Sequence, residues 1–185
     1  MSKKLPYSGS AAKKGRDFYS SGINRLLNRI DKLEHQVFCC GDDTDEVIDI
    51  TVATMTAAEN QDGAFFTFNI AAGSTLTLPE ANASNIGWNC KVAIETSFSG
   101  TGTITASRAT DLLVGGVHLV DPATAGDTNF FQPNGSSNAK VAASGDNRGR
   151  LAGGFLEFKI IDVNSIWVTG TLVGDGALAT FFDDF

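Results

Sequence analysis

From Val47 onward, apolar residues recur at every second position, and this pattern restricts the fold more than anything else in the 185-residue chain. It runs through VIDITVATM, FFTFNI, STLTLP, WNCKVAIET, TGTITAS, DLLVGGVHLV, FLEFKIIDV, SIWVTGTLVG and ALATFF. A period of two sends successive side chains to opposite faces of an extended chain. Each segment therefore reads as a strand with one face buried. Turns between them are marked by Gly, Asn, Asp or Pro, as in AAGS, PEANASN, SFSGTG, DVNS and VGDG. The spacing predicts about eight to ten strands and no long helix within 47–185. Hydrophobic residues, 42% of the chain, suffice for a core; charged residues, at 19%, fall below the ~25% usual in soluble domains, and 20 glycines suit a turn-rich β protein. The expected class is mainly β, with an antiparallel β-sandwich or jelly-roll-like body.

One stretch breaks the alternation. Residues 121–150, DPATAGDTNFFQPNGSSNAKVAASGDNRGR, are rich in Gly, Ser and Asn and read as one long loop. Phe130 and Phe131 interrupt it. Two such rings in a loop form a candidate contact surface, or else fold back beneath the loop.

The first 46 residues have a different character. Residues 1–16 read as an extended basic arm, with Lys3, Lys4, Lys13, Lys14 and Arg16. Residues 17–38 read as an amphipathic helix, capped by Asp17 or Ser20. Ile23, Leu26, Ile30, Leu33 and Val37 follow 3-4-3-4 spacing, and Leu27 widens the stripe. Such a stripe packs either on the chain's own β body or in a short intersubunit coiled coil, since two heptads are too few to stand alone. Residues 39–46 form an acidic linker, with Gly41 placed as a helix-terminating residue.

Charge divides along the same boundary. Residues 1–34 carry +5 and the remainder −12, which together give the net −7. A basic arm suits a phosphate backbone, an acidic protein surface or solvent alone. The arm lacks the dense basic clusters and interleaved aromatics of nucleic-acid binders, and the acidic body would repel a polyanion. Docking onto protein is the preferred expectation, and nucleic acid is not an expected partner.

No constellation for chemistry stands out. Three cysteines, two of them adjacent (Cys39 and Cys40), make a poor disulfide framework. Cys90 lies in an apolar strand and reads as a small core residue. His35 and His118 are far apart, and neither metal-ligand spacing nor a phosphate-binding or nucleophile motif is present. The acidic cluster at 42–49 lacks the order of an EF-hand loop. A non-enzyme without cofactor or metal is expected. No apolar run is long enough to span a bilayer, and no secretory leader is visible, so synthesis and retention in a cytoplasm are expected.

Several pieces of the body together resemble a recurrent pattern. They are STLTLPEA (Ser74–Ala81), the Gly-led strand IGWNCKVAIET, the hairpin GTGTITAS (Gly100–Ser107), DLLVGGV (Asp111–Val117) and SIWVTG (Ser165–Gly170). Between Phe65 and Thr180 the chain resembles small β modules of tailed-phage virion proteins: capsid decoration (cement) proteins and fibre or tail-surface proteins. The resemblance implies a homotrimer assembled in the host cytoplasm. It would sit in the virion against the major capsid protein or another virion protein. The alternatives are a tail or fibre adaptor anchored by its N-terminus with the body exposed for host recognition, and a carbohydrate-binding or carbohydrate-acting β domain. The last needs exposed aromatics, whereas Trp88 and Trp167 both lie in apolar strands and are expected to be buried.

Overall fold

The computed structural model describes residues 46–124 and 127–185. The basic arm, the helix stripe and Cys39–Cys40 lie outside the described residues, as does all but residue 46 of the acidic linker. The strands are β1 (Val47–Ile50), β2 (Thr54–Thr56), β3 (Phe65–Phe68), β4 (Thr75–Thr77), β5 (Asn89–Ile94), β6 (Thr101–Thr105), β7 (Leu112–Val120), β8 (Thr128–Phe131), β9 (Asn138–Ser144), β10 (Leu151–Asp162), β11 (Ser165–Val173) and β12 (Phe182–Asp184). Among the described residues the only helical element is a 3-10 turn at Asp146–Arg148. The body is mainly β, as its alternation requires.

Two sheets result, with strand orders β1-β3-β5-β10-β11-β7-β8 and β12-β9-β6-β4-β2. The first six strands alternate between them, so β1, β3 and β5 lie parallel in one sheet and β2, β4 and β6 lie parallel in the other. The second half closes the sheets differently. Strand β10 runs antiparallel to β5 and β11, β11 runs parallel to β7, and β9 runs antiparallel to β6 and β12. The antiparallel expectation is thus corrected: both sheets are mixed. Period-two patterning reports which face is buried but is blind to strand direction. Parallel neighbours need a crossover, here supplied by a strand of the opposite sheet instead of a helix.

The inward residues follow the alternation. Ile48, Phe66, Val92 and Leu156 share one register row in the larger sheet. Met55, Leu76, Ile104, Val141 and Phe182 share one in the smaller sheet. Both rows belong to a single apolar cluster, with Phe66, Leu76, Phe158 and Ile160 fully buried. On the other side of the smaller sheet, Thr54, Thr75 and Thr103 form one ladder and Thr56, Thr77 and Thr105 another. Such cross-strand pairs are a common source of sheet stability.

Residues 121–150, expected as one loop, contain β8, β9 and the 3-10 turn. Strand β9, NAKVAAS, buries Ala139, Val141, Ala142 and Ala143. Its small side chains lack the β-branched and aromatic signature of a strand, and its place beside β6 comes from long-range pairing.

Three distant connections meet at one buried carboxylate. Asp111 Oδ2 accepts the Ala81 N–H at 3.1 Å, after the LPEA segment. Asp111 Oδ1 receives Arg108 Nη2 at 2.8 Å, and Arg108 also reaches Glu80 at 2.6 Å and Asn164 Oδ1 at 3.1 Å. Asn164, with φ 59, is in the left-handed region that the tight β10–β11 turn requires. The motifs STLTLPEA and DLLVGGV therefore have a shared structural role: their adjoining ends are stitched together. Replacing Asp111 by Ala removes the acceptor for a buried N–H and the anchor of Arg108. It should destabilise the body by about 1–3 kcal/mol, read as a lower denaturant midpoint with an unchanged m-value.

Candidate interaction face

The outward side of the larger sheet is unusual for an exposed β surface. On it, Asn89, Lys159, Trp167 and Val114 form one register row, and Lys91, Glu157, Thr169 and Gly116 form the next. Ala93, Phe155, Thr171, His118 and Phe130 form a third. Trp167 is 45% exposed, Phe130 53% and Phe155 36%. Val47 and Ile161 are exposed on the same side. The burial expected for Trp167 is therefore corrected, whereas Trp88 is buried. Trp167 belongs to the outward set of β11 because the inward set is Ile166, Val168 and Leu172.

Two glycines allow these rings to lie against the sheet. A Cβ at Gly116 would fall 2.2 Å from Phe130 Cζ, so the ring occupies the space that any side chain there would need. At Gly115, φ is +108 and the Trp167 indole lies against the backbone, 3.3 Å from where a Cβ would stand. Rings laid over glycine on a strand protect the backbone on one face and leave the other open. Phe155 stacks with Phe65 at 6.2 Å, and His118 packs on Phe130 at 4.9 Å.

The two phenylalanines of the expected contact loop separate. Both lie on the edge strand β8, but Phe130 faces outward whereas Phe131 packs edge-on against the buried Phe181 at 5.5 Å. Only Phe130 belongs to the exposed face. The position of β8 depends on Asp121. Its Oδ1 accepts the N–H groups of Ala123 and Thr124, at 2.8 and 3.2 Å, and its Oδ2 accepts that of Gly176 at 3.2 Å.

A cleft of about 270 Å³ is lined by Glu59, Asp62, Ser84, Asn85 and Trp88 among others. Glu59 Oε1 accepts from Asn85 at 3.1 Å, Asp62 Oδ1 accepts twice from Asn89 at 2.8 Å, and the Ser84 hydroxyl donates to Asn82. No imidazole lines the cleft to activate that hydroxyl. Among the described residues no group of three or more His, Cys, Asp or Glu is placed to hold a metal ion, and no helix is long and apolar enough to cross a membrane.

No family model matches the chain, and no curated protein or solved structure shows significant similarity to it.

Burial pushes the Cys90 thiol well above its ordinary pKa, and the charges of Glu157 and Asp62 push it further. Since the thiolate is the reactive form, Cys90 should stay unlabelled by iodoacetamide at pH 8 in the folded protein and label only on denaturation, as read by peptide mapping. Asp121 shows the opposite direction. Burial acts to raise its pKa, but the Ala123 N–H, the Thr124 side chain and the N–H groups of Gly176 and Thr124 outweigh it and hold the carboxyl below its usual value. A carboxyl lowered on folding stabilises the fold fully above its unfolded pKa of about 3.9 and loses that contribution as pH falls through the folded value. The stability gap between wild type and Asp121→Ala should thus be constant near neutrality and shrink in acid, measured by urea titration across pH.

Proposed function

We propose that the chain is a non-enzymatic virion structural protein, a capsid decoration protein of a tailed phage that acts as a homo-oligomer. In this reading it stabilises the head by docking its N-terminal arm and helix on the shell or on neighbouring subunits. The observation that carries the reading is the outward face of the larger sheet, where Trp167, Phe130, Phe155, Val47 and Ile161 are all exposed. Aromatic residues laid on a flat surface are characteristic of protein contact areas, and contiguous apolar area in water is unfavourable unless covered. The charge division supports the same role, since a +5 arm complements the −12 remainder of a neighbouring copy. Many weak arms on a lattice would act together through avidity.

A tail or fibre adaptor is the second reading, with the body exposed for host recognition. The open indole face of Trp167 favours it, because such a ring also suits a sugar face. Copy number separates the two: on the order of hundreds per particle fits decoration, and a few tens or fewer fits a tail. For the decoration role, changing Lys3, Lys4, Lys13, Lys14 and Arg16 to Glu in the full chain should abolish co-sedimentation with expanded capsid shells and leave the thermal melting of the body unchanged. Undiminished shell binding would overturn the docking role of the arm.

A further inference from the structure

We propose that the outward face of the larger sheet seats the same face of a second copy of this chain, related by a two-fold axis that lies between the faces and crosses β10 at the level of Phe158. The inference rests on the assembly role above and names its partner surface.

The described residues hold fifteen Asp and Glu and six Lys and Arg, so two bodies carry like net charge and a contact between them is favoured where opposite charges meet. Arg108, Arg148 and Arg150 are already engaged with Asp111, Asp183 and Asp146. On the face in question Glu157 and Lys159, of opposite sign, stand in two adjacent register rows on β10.

The rows are also complementary to themselves. A two-fold axis across the strands at the level of Phe158 exchanges the row of residue 157 with that of residue 159. Glu157 of one copy then faces Lys159 of the other, and the reverse, giving two charge pairs from one strand. The same exchange sets Lys91 of one copy over Asn89 of the other, whose backbone and side-chain N–H groups are held by Asp62. On β11 it sets the Trp167 indole over Thr169. On β7 it sets Val114 over Gly116, where the Phe130 ring lies. Aligned sheets pack about 10 Å apart with side chains interdigitating, so these pairings hold nearest the axis, where twist separates the sheets least. An isologous contact of this kind requires such self-matching, with each residue meeting a partner that meets it in return.

A charge-swap cycle on the full chain tests the proposal. Sedimentation velocity over a concentration series reads self-association, and far-UV circular dichroism with thermal melting reads the fold. Wild type should pair reversibly. Glu157→Lys alone places lysine against lysine, and Lys159→Glu alone places glutamate against glutamate. Each should weaken pairing by at least about tenfold. The double variant E157K/K159E restores opposite charges across the axis and should recover pairing. Trp167→Ser should weaken it without touching charge. Wild type that stays monomeric, single variants that pair like wild type, or a double variant no better than the singles would each overturn the proposal. Shell co-sedimentation of the same proteins reads the assembly role separately. Loss of pairing logic with shell binding intact removes only this interface. Intact pairing logic without shell binding removes the decoration reading and leaves the interface.

Discussion

Ile48, Phe66, Val92 and Leu156 from one sheet, and Met55, Leu76, Ile104 and Val141 from the other, contribute to one apolar layer around which the body is built. A sheet with one apolar face has no stability in water until a second layer covers it. The chain meets this demand by crossing from sheet to sheet with each of its first six strands, so each sheet is assembled together with its cover. Strand direction follows from the same device. Among the first six strands, each one that returns to its own sheet after visiting the other arrives parallel to its predecessor, whereas the β10–β11 hairpin arrives antiparallel.

Because the shared layer uses the inward side of both sheets, the aromatic residues on the outward side of the larger one contribute nothing to it. Trp167 and Phe130 are held instead by Gly115 and Gly116 beneath them and by neighbours such as His118. This leaves ring surface in water on β11 and on the edge strand β8. The layer between the sheets holds the fold, and the outward face is not part of it. Asp111 joins the turns at the edge of the sheets, and Asp121 fixes the connection that leads into β8.

Legibility from sequence varied by feature. The inward set of β5, β10 and β11 was readable residue by residue, because Cys90, Val92, Ile94, Leu156, Phe158, Ile166 and Val168 alternate strictly and all are buried. The candidate face was only partly readable. Phe130 was singled out, but from a segment that resembled a loop. Trp167 was missed, since SIWVTG is apolar enough for either of its faces to be the core. A signal did exist: Trp167 is one position out of phase with Ile166 and Val168, and the adjacent glycines of DLLVGGV marked a place where side chains had been cleared. The meeting of Glu80, Arg108, Asp111 and Asn164 was not readable at all, because those residues come from three separate connections.

The sequence by itself determined that segments such as β5, β7 and β10 extend, and which side of β5 and β10 is apolar, because period two is a property of local backbone geometry and needs no partner. It also determined the division of charge at the boundary between the basic N-terminal region and the acidic remainder. Tertiary structure decided the direction of each strand, the pairing of the alanine-rich β9 and the exposure of Trp167 and Phe130. Those outcomes depend on neighbours remote along the chain, and only packing both sheets on one layer determines which neighbours these are.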